Sequence, residues 1–184
     1  MGFNLVRQSF SEFKSVKNLC IMSVLMAMFM SVRFIGTINI ADFVRVEFGF
    51  LVFLIAGSMF GPAFAFLIGF LGDVVCFFMF CSGKAPYNVG FTISSIISAL
   101  IYAFFLYKYK LTVTRAFLAQ VVHDIIVSLI LNTYFLAPMY FNGDISKCFF
   151  LRLPKFLICL PINCAFAVSL LILFRNVAKQ IKLS

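Results

Sequence analysis

Six apolar runs, at residues 19–35, 48–60, 63–80, 89–107, 116–134 and 156–174, fill most of the chain, and only Arg33, Asp73 and Asp124 interrupt them with a full charge. A bilayer core of about 30 Å needs about 20 apolar residues of helix to cross it, and most of these runs approach that length. The rest of the chain cannot supply a polar shell: 11% of the residues are charged, against about 25% in an ordinary soluble domain. The expected fold is therefore an all-α integral membrane protein, a bundle of six transmembrane helices forming a single membrane domain over residues 1–184. The first run begins late and continues too far for a cleaved secretory signal, so no cleavage is expected.

The run at 48–60 is short enough to be re-entrant, and charge bias decides its reading. With six spans and both termini cytoplasmic, nine of the fifteen Lys and Arg residues lie inside. With five spans, seven would lie inside and eight outside. The positive-inside tendency favours six, and the protein is expected to be a multi-pass protein of the cell membrane. The net charge of +9 then reflects topology: the basic residues form no dense run and alternate with lipid-spanning sequence, so nucleic acid is not an expected partner.

No motif supports catalysis. The chain lacks G-x-S-x-G, H-E-x-x-H and the phosphate-binding G-x-x-x-x-G-K-[ST], so no enzyme, cofactor or catalytic residue is expected. The six cysteines include no C-x-x-C pair, which leaves no expected metal site and points to small apolar fillers. Cys81 and Cys148 would share the outer side, where a disulfide is open but unsupported by spacing. His123 and Asp124 are neighbours, and side chains that diverge by about 100° on a helix are not expected to serve one constellation.

The segment SVRFIGTINIADFVRVEFGFL places Arg33, Asp42, Arg45 and Glu47 within fifteen positions. In the six-span topology it lies outside, together with Lys84, Asp144, Lys147, Arg152 and Lys155, and leaves the outer face with a balance of plus three. Such side chains can snorkel to headgroups; they can also attract an anion. Asp73, near the middle of its span, costs at least about 2.5 kcal/mol in the bilayer unless it faces inward to a partner. That partner is an arginine, an amide or an amino-bearing ligand ring. Gly69, one turn earlier, leaves room beside it for a pocket or a close helix contact. Asn88 and Thr92 open the fourth span, Asn132 closes the fifth and Arg152 leads into the sixth. Arg33, Arg45, Asp73, Asn88, Thr92, Asn132 and Arg152 are thus the candidate ligand residues, with helix capping the competing explanation at the span ends. Ser23, Ala27 and Ser31 form a small-residue stripe on the first span, where another helix can approach closely.

The stretches KNLCIMSVLMA, SVRFIG, RVEFGFLVFLIAGSMFGPAFAFLIGFLGD, NVGFTISSIISALIYAFFLYK, LILNTYF and RLPKFLICLPIN, in this order and spacing, resemble the substrate-binding S components of energy-coupling factor vitamin importers, most closely the folate-specific members. The resemblance covers nearly the whole chain. It implies a six-helix protein that captures folate, or a related anionic vitamin, from outside; an S component for another vitamin, such as pantothenate or riboflavin, is the alternative within the same family. Transport then needs a transmembrane coupling subunit and two cytoplasmic ATPases. It also implies that Ser23 and Ala27 occupy the positions of the family's Ala-x-x-x-Ala coupling surface. On folate's chemistry, Asp73, Asn88 and Asn132 are expected at the pterin edge, and Arg33, Arg45 and Arg152 at the glutamate carboxylates.

Overall fold

The computed structural model describes residues 9–10, 12–35, 38–41, 44–46, 48–81, 87–109, 112–140 and 143–183, with the backbone alone at 35, 38–41, 44–46, 80, 81, 140 and 174–183. Helix α1 (Val16–Ile35) leads into a two-stranded antiparallel hairpin, β1 (Ile38–Ala41) and β2 (Val44–Val46), with Asn39 paired to Arg45. Helices α2 (Phe50–Phe60), α3 (Pro62–Cys76) and α4 (Val89–Leu106) follow. The next rod begins as α5 (Val113–His123), passes through a π-helical segment (Asp124–Leu131) and ends as α6 (Asn132–Tyr140); α7 (Ile145–Leu183) closes the bundle. The helical class expected from the sequence holds, with the hairpin as an addition in the first connection.

Five of these rods are long and apolar enough to cross a membrane, and α2 is shorter. At 1.5 Å per residue its 11 residues reach about 16 Å, half of a bilayer core. It is the bundle's inner post: Phe50, Val52, Phe53, Leu54, Ala56, Gly57 and Phe60 are all buried. Phe29 of α1 stacks on Phe53 with centroids 4.6 Å apart, and Ile68, Ala99, Tyr102, Ala116, Ala119 and Leu171 complete the same core. The outer faces of α1, α3 and α7 show Val24, Phe66, Leu157 and Ile158, as lipid contact requires.

Two local features fix α2 against its neighbours. Gly61 turns the chain between α2 and α3 at φ 77°, a conformation costly for any residue with a Cβ, and Pro62 starts α3 where a missing N–H costs nothing. Ser9, fully buried, stitches this turn: its hydroxyl donates to the Phe60 carbonyl at 2.5 Å and accepts from the Ala63 N–H at 3.0 Å. Halfway along α2, Gly57 lets the helix approach the α4 backbone so closely that a Cβ would stand 2.8 Å from the Ala103 nitrogen.

The sequence led to a long connection between the fifth and sixth spans, with the last helix starting at 156. The structure instead continues helix to Tyr140 and restarts it at Ile145. Pro138, Pro154 and Pro161 all lie inside helices. Prolines and scattered cations read as breakers in water, whereas tight packing in lipid lets the helix run through them. Cys148 and Arg152 turn inward on this extra stretch while Phe150 and Leu151 face out.

Candidate functional site

The candidates from the sequence fall into two polar clusters and one helix cap. The first cluster ties the hairpin end of the bundle together. Arg33, on the last turn of α1, places a guanidinium nitrogen 2.5 Å from Asp73 Oδ1 on α3. Thr92 of α4 donates its hydroxyl to Asp73 Oδ2 at 2.7 Å, and the Tyr87 hydroxyl lies 2.5 Å from the Thr92 oxygen. Asp73 is 4% exposed, so the cluster resolves its cost: both carboxylate oxygens are engaged, one by a charge and one by a hydroxyl. Gly69 makes the close helix contact rather than a pocket, since a Cβ there would meet Ile96 Cα of α4 at 2.9 Å.

Asn88 is the N-cap of α4, its side-chain oxygen accepting the Gly90 N–H at 2.8 Å, which satisfies one orphan donor of the first turn. Its amide nitrogen approaches Met139 Sδ at 3.3 Å and so links the cap to α6. Asn132 is half-buried where the π segment gives way to α6. Arg45 lies on β2, with its side chain outside the described residues; Asp42 and Glu47 lie wholly outside them. Cys148 is buried and free of disulfide bonding, and the Cys81 side chain lies outside the described residues.

The second cluster sits deep between the fifth rod and α7. Asp124, 2% exposed, opens the π segment. Its Oδ1 lies 3.0 Å from His123 Nδ1 and accepts from Gln120 Nε2 at 3.1 Å, while Gln120 Oε1 accepts from the Tyr102 hydroxyl at 2.7 Å. Asn163 Nδ2 reaches both Asp124 oxygens at 3.5 Å. His123 and Asp124, expected to diverge, therefore meet. The contact sits where α5 gives way to the π segment, and such segments recur at functional sites.

Asp124 and Asn163 line one part of a cleft, and Arg152 and Lys155 line another. Arg152 is 5% exposed, and its Nε and one terminal nitrogen meet no hydrogen-bond acceptor among the described residues. A cleft with a buried acid at one end and a buried arginine beside a half-buried lysine at the other suits an elongated ligand with a donor-rich head and an acidic tail. Its free space is about that of one water molecule, so a larger ligand must part α7 from the fifth rod. Ser23, Ala27 and Ser31 are all exposed on α1. The hydroxyls of Ser23 and Ser31 turn back to the carbonyls of Leu19 and Ala27, each at 2.9 Å, which leaves a smooth, shallow stripe.

The family model for the ECF transporter substrate-specific component matches residues 17–180. The chain belongs to that family. Among curated proteins this S component is 36% identical over 121 residues to the folate transporter FolT of Clostridium novyi (strain NT), covering 65% of this chain and 68% of the relative. Among solved structures it matches FolT bound with folic acid at a TM-score of 0.74 and 28% identity, over 85% of this chain and 93% of the other. The S component is thus a membrane protein of a transporter family. Sequence reasoning did not bring Asp124, Gln120 and Asn163 together as one polar cluster. The spacing of Gln120 and Asp124, four apart within an apolar run, was the available signal, because both then face one side of the helix.

Proposed function

We propose that this S component binds folate at the outer face of the cell membrane and delivers it, without chemical change, through a coupling subunit driven by two ATPases. In this reading both termini are cytoplasmic, the hairpin end faces outward, and the chain is no enzyme. The observation that carries the reading is the likeness, over most of both chains, to a folic acid-bound FolT; the bipolar cleft agrees with it. Folate presents an amino-bearing pterin at one end and two carboxylates at the other. Arg152 and Arg45 serve the carboxylates, and Asn132 remains a candidate for the pterin edge. Asp73 with Arg33 and Thr92, and Asn88 as a cap, hold the frame of the site. Isothermal calorimetry of the purified protein with folate, pantothenate and riboflavin tests this: heat from folate alone is expected, and heat from another vitamin in its place would reassign the ligand.

Arg152 carries a second expectation. A buried guanidinium with unused donors destabilises the empty protein and is offset when a carboxylate arrives. Arg152→Met is therefore expected to raise the melting temperature of the ligand-free protein while weakening folate binding tenfold or more. A fall in melting temperature with unchanged affinity would make Arg152 a structural residue instead.

At the coupling face, Ala27→Trp is expected to abolish co-purification with the coupling subunit and ATPases, because an indole fills the shallow stripe that a partner helix needs. Folate binding should be unaltered, since Ala27 faces away from both polar clusters. Retained assembly would place the coupling surface elsewhere.

A further inference from the structure

We infer that Asp124, rather than Asp73, is the carboxylate that selects the ligand's amino-bearing ring, and that Gln120 and His123 are positioning residues that hold it ready. The inference rests on the folate reading. The two aspartates differ in what they have left to offer. Asp73 is closed, with Arg33 on one oxygen and Thr92 on the other. Asp124 spends Oδ1 on His123 and Gln120. Among the described residues its Oδ2 meets only the Asn163 amide, at 3.5 Å, beyond the 2.7–3.2 Å of a good N–H···O bond. A carboxylate this buried in an apolar bundle, with an oxygen so poorly served, is an acceptor without its donor.

The surroundings say which donor. The cleft that Asp124 lines also holds Arg152, more than nine-tenths buried and with donor nitrogens unspent. Arg152 and Asn163 stand eleven residues apart on α7, about 16 Å along the helix. The site therefore reads as acceptor at depth and donors toward the hairpin end. A pterin carries an exocyclic 2-amino group, a donor that the poorly served Oδ2 accepts, and across its ring N–H a 4-oxo group that suits the Asn163 amide. The Tyr102 hydroxyl fixes Gln120 through its oxygen, so the Gln120 amide must donate to Asp124. The rings of Phe50 and Tyr102, with centroids 6.3 and 5.3 Å from that of His123, confine the imidazole. Asp124 is thus held by groups that keep one oxygen occupied and leave the other for the ligand.

The test compares folate with its 2-desamino-2-methyl analogue, which lacks the donor, by calorimetry on the full-length protein in detergent. The wild type is expected to prefer folate by about ten- to a hundredfold, the range of one charged hydrogen bond. Asp124→Asn should bring folate down to the affinity of the analogue. Gln120→Leu should shrink the preference while leaving the affinity for the analogue in place, a pattern that loss of packing alone would not give. A wild type that binds both compounds within twofold overturns the inference without any variant having to fold. So does a preference that survives Asp124→Asn, or one that collapses only in Asp73→Asn. A wild type that binds the analogue and folate not at all rejects the folate reading itself, a distinguishable result.

Discussion

Replacing Arg33 with methionine is expected to cost the protein about 3–5 kcal/mol of stability, because it strands the buried Asp73 carboxylate without its counter-charge. The pair at 2.5 Å joins α1 to α3, and Thr92 and Tyr87 extend the tie to α4. A hydroxyl alone cannot carry a carboxylate that is 4% exposed in a bundle surrounded by lipid. The measurement is equilibrium unfolding in mixed detergent. The double variant Arg33→Met with Asp73→Leu should recover most of the loss, since removing both charges of a buried pair is far milder than removing one. A single variant as stable as the wild type would mean that Asp73 has other support and that the tie is incidental.

Gly57→Leu should be nearly as damaging, at about 3 kcal/mol, the upper end of what overpacking costs. The atoms that a Cβ would meet at Gly57 are backbone: the Ala103 nitrogen at 2.8 Å, its Cα at 3.1 Å and the Tyr102 carbonyl carbon at 3.2 Å. Backbone cannot swing aside as a side chain can, so α2 and α4 must separate, and Tyr102 with its link to Gln120 would move with them. Gly57→Ala should show a graded version of the same loss. Thermal unfolding checks both, and a leucine variant that melts with the wild type would contradict the close approach.

Hydropathy made the helical spans legible, because lipid as a solvent leaves few ways to arrange apolar runs of that length. The ends were not, for reasons particular to each. Pro154, Lys155 and Arg152 looked like a connection, yet α7 runs through them from Ile145, since a helix packed in lipid keeps its hydrogen bonds where an aqueous one would break. Asn88 was legible as a helix cap and as a ligand group; the structure shows the cap. Asp73 was legible as a buried acid needing a partner, with an arginine among those considered, but the sequence could not choose Arg33 because the pairing joins residues forty positions apart. Asp124 was set aside on ideal helical geometry. The π segment that begins at that residue has no clear signature in composition, and the His123–Asp124 contact at its start is made by side chains that the periodicity of the backbone does not fix.

The shortness of α2 has a consequence of its own. Helices that touch acyl chains must match the thickness of the bilayer or distort it. Seven of the eleven residues of α2 are buried and Met59 alone is exposed, so protein atoms cover most of this helix. Thickness matching therefore constrains it far less than the longer rods, and along its buried face it answers to the jigsaw rules of a water-soluble interior, where volume and shape rather than greasiness decide which substitutions survive.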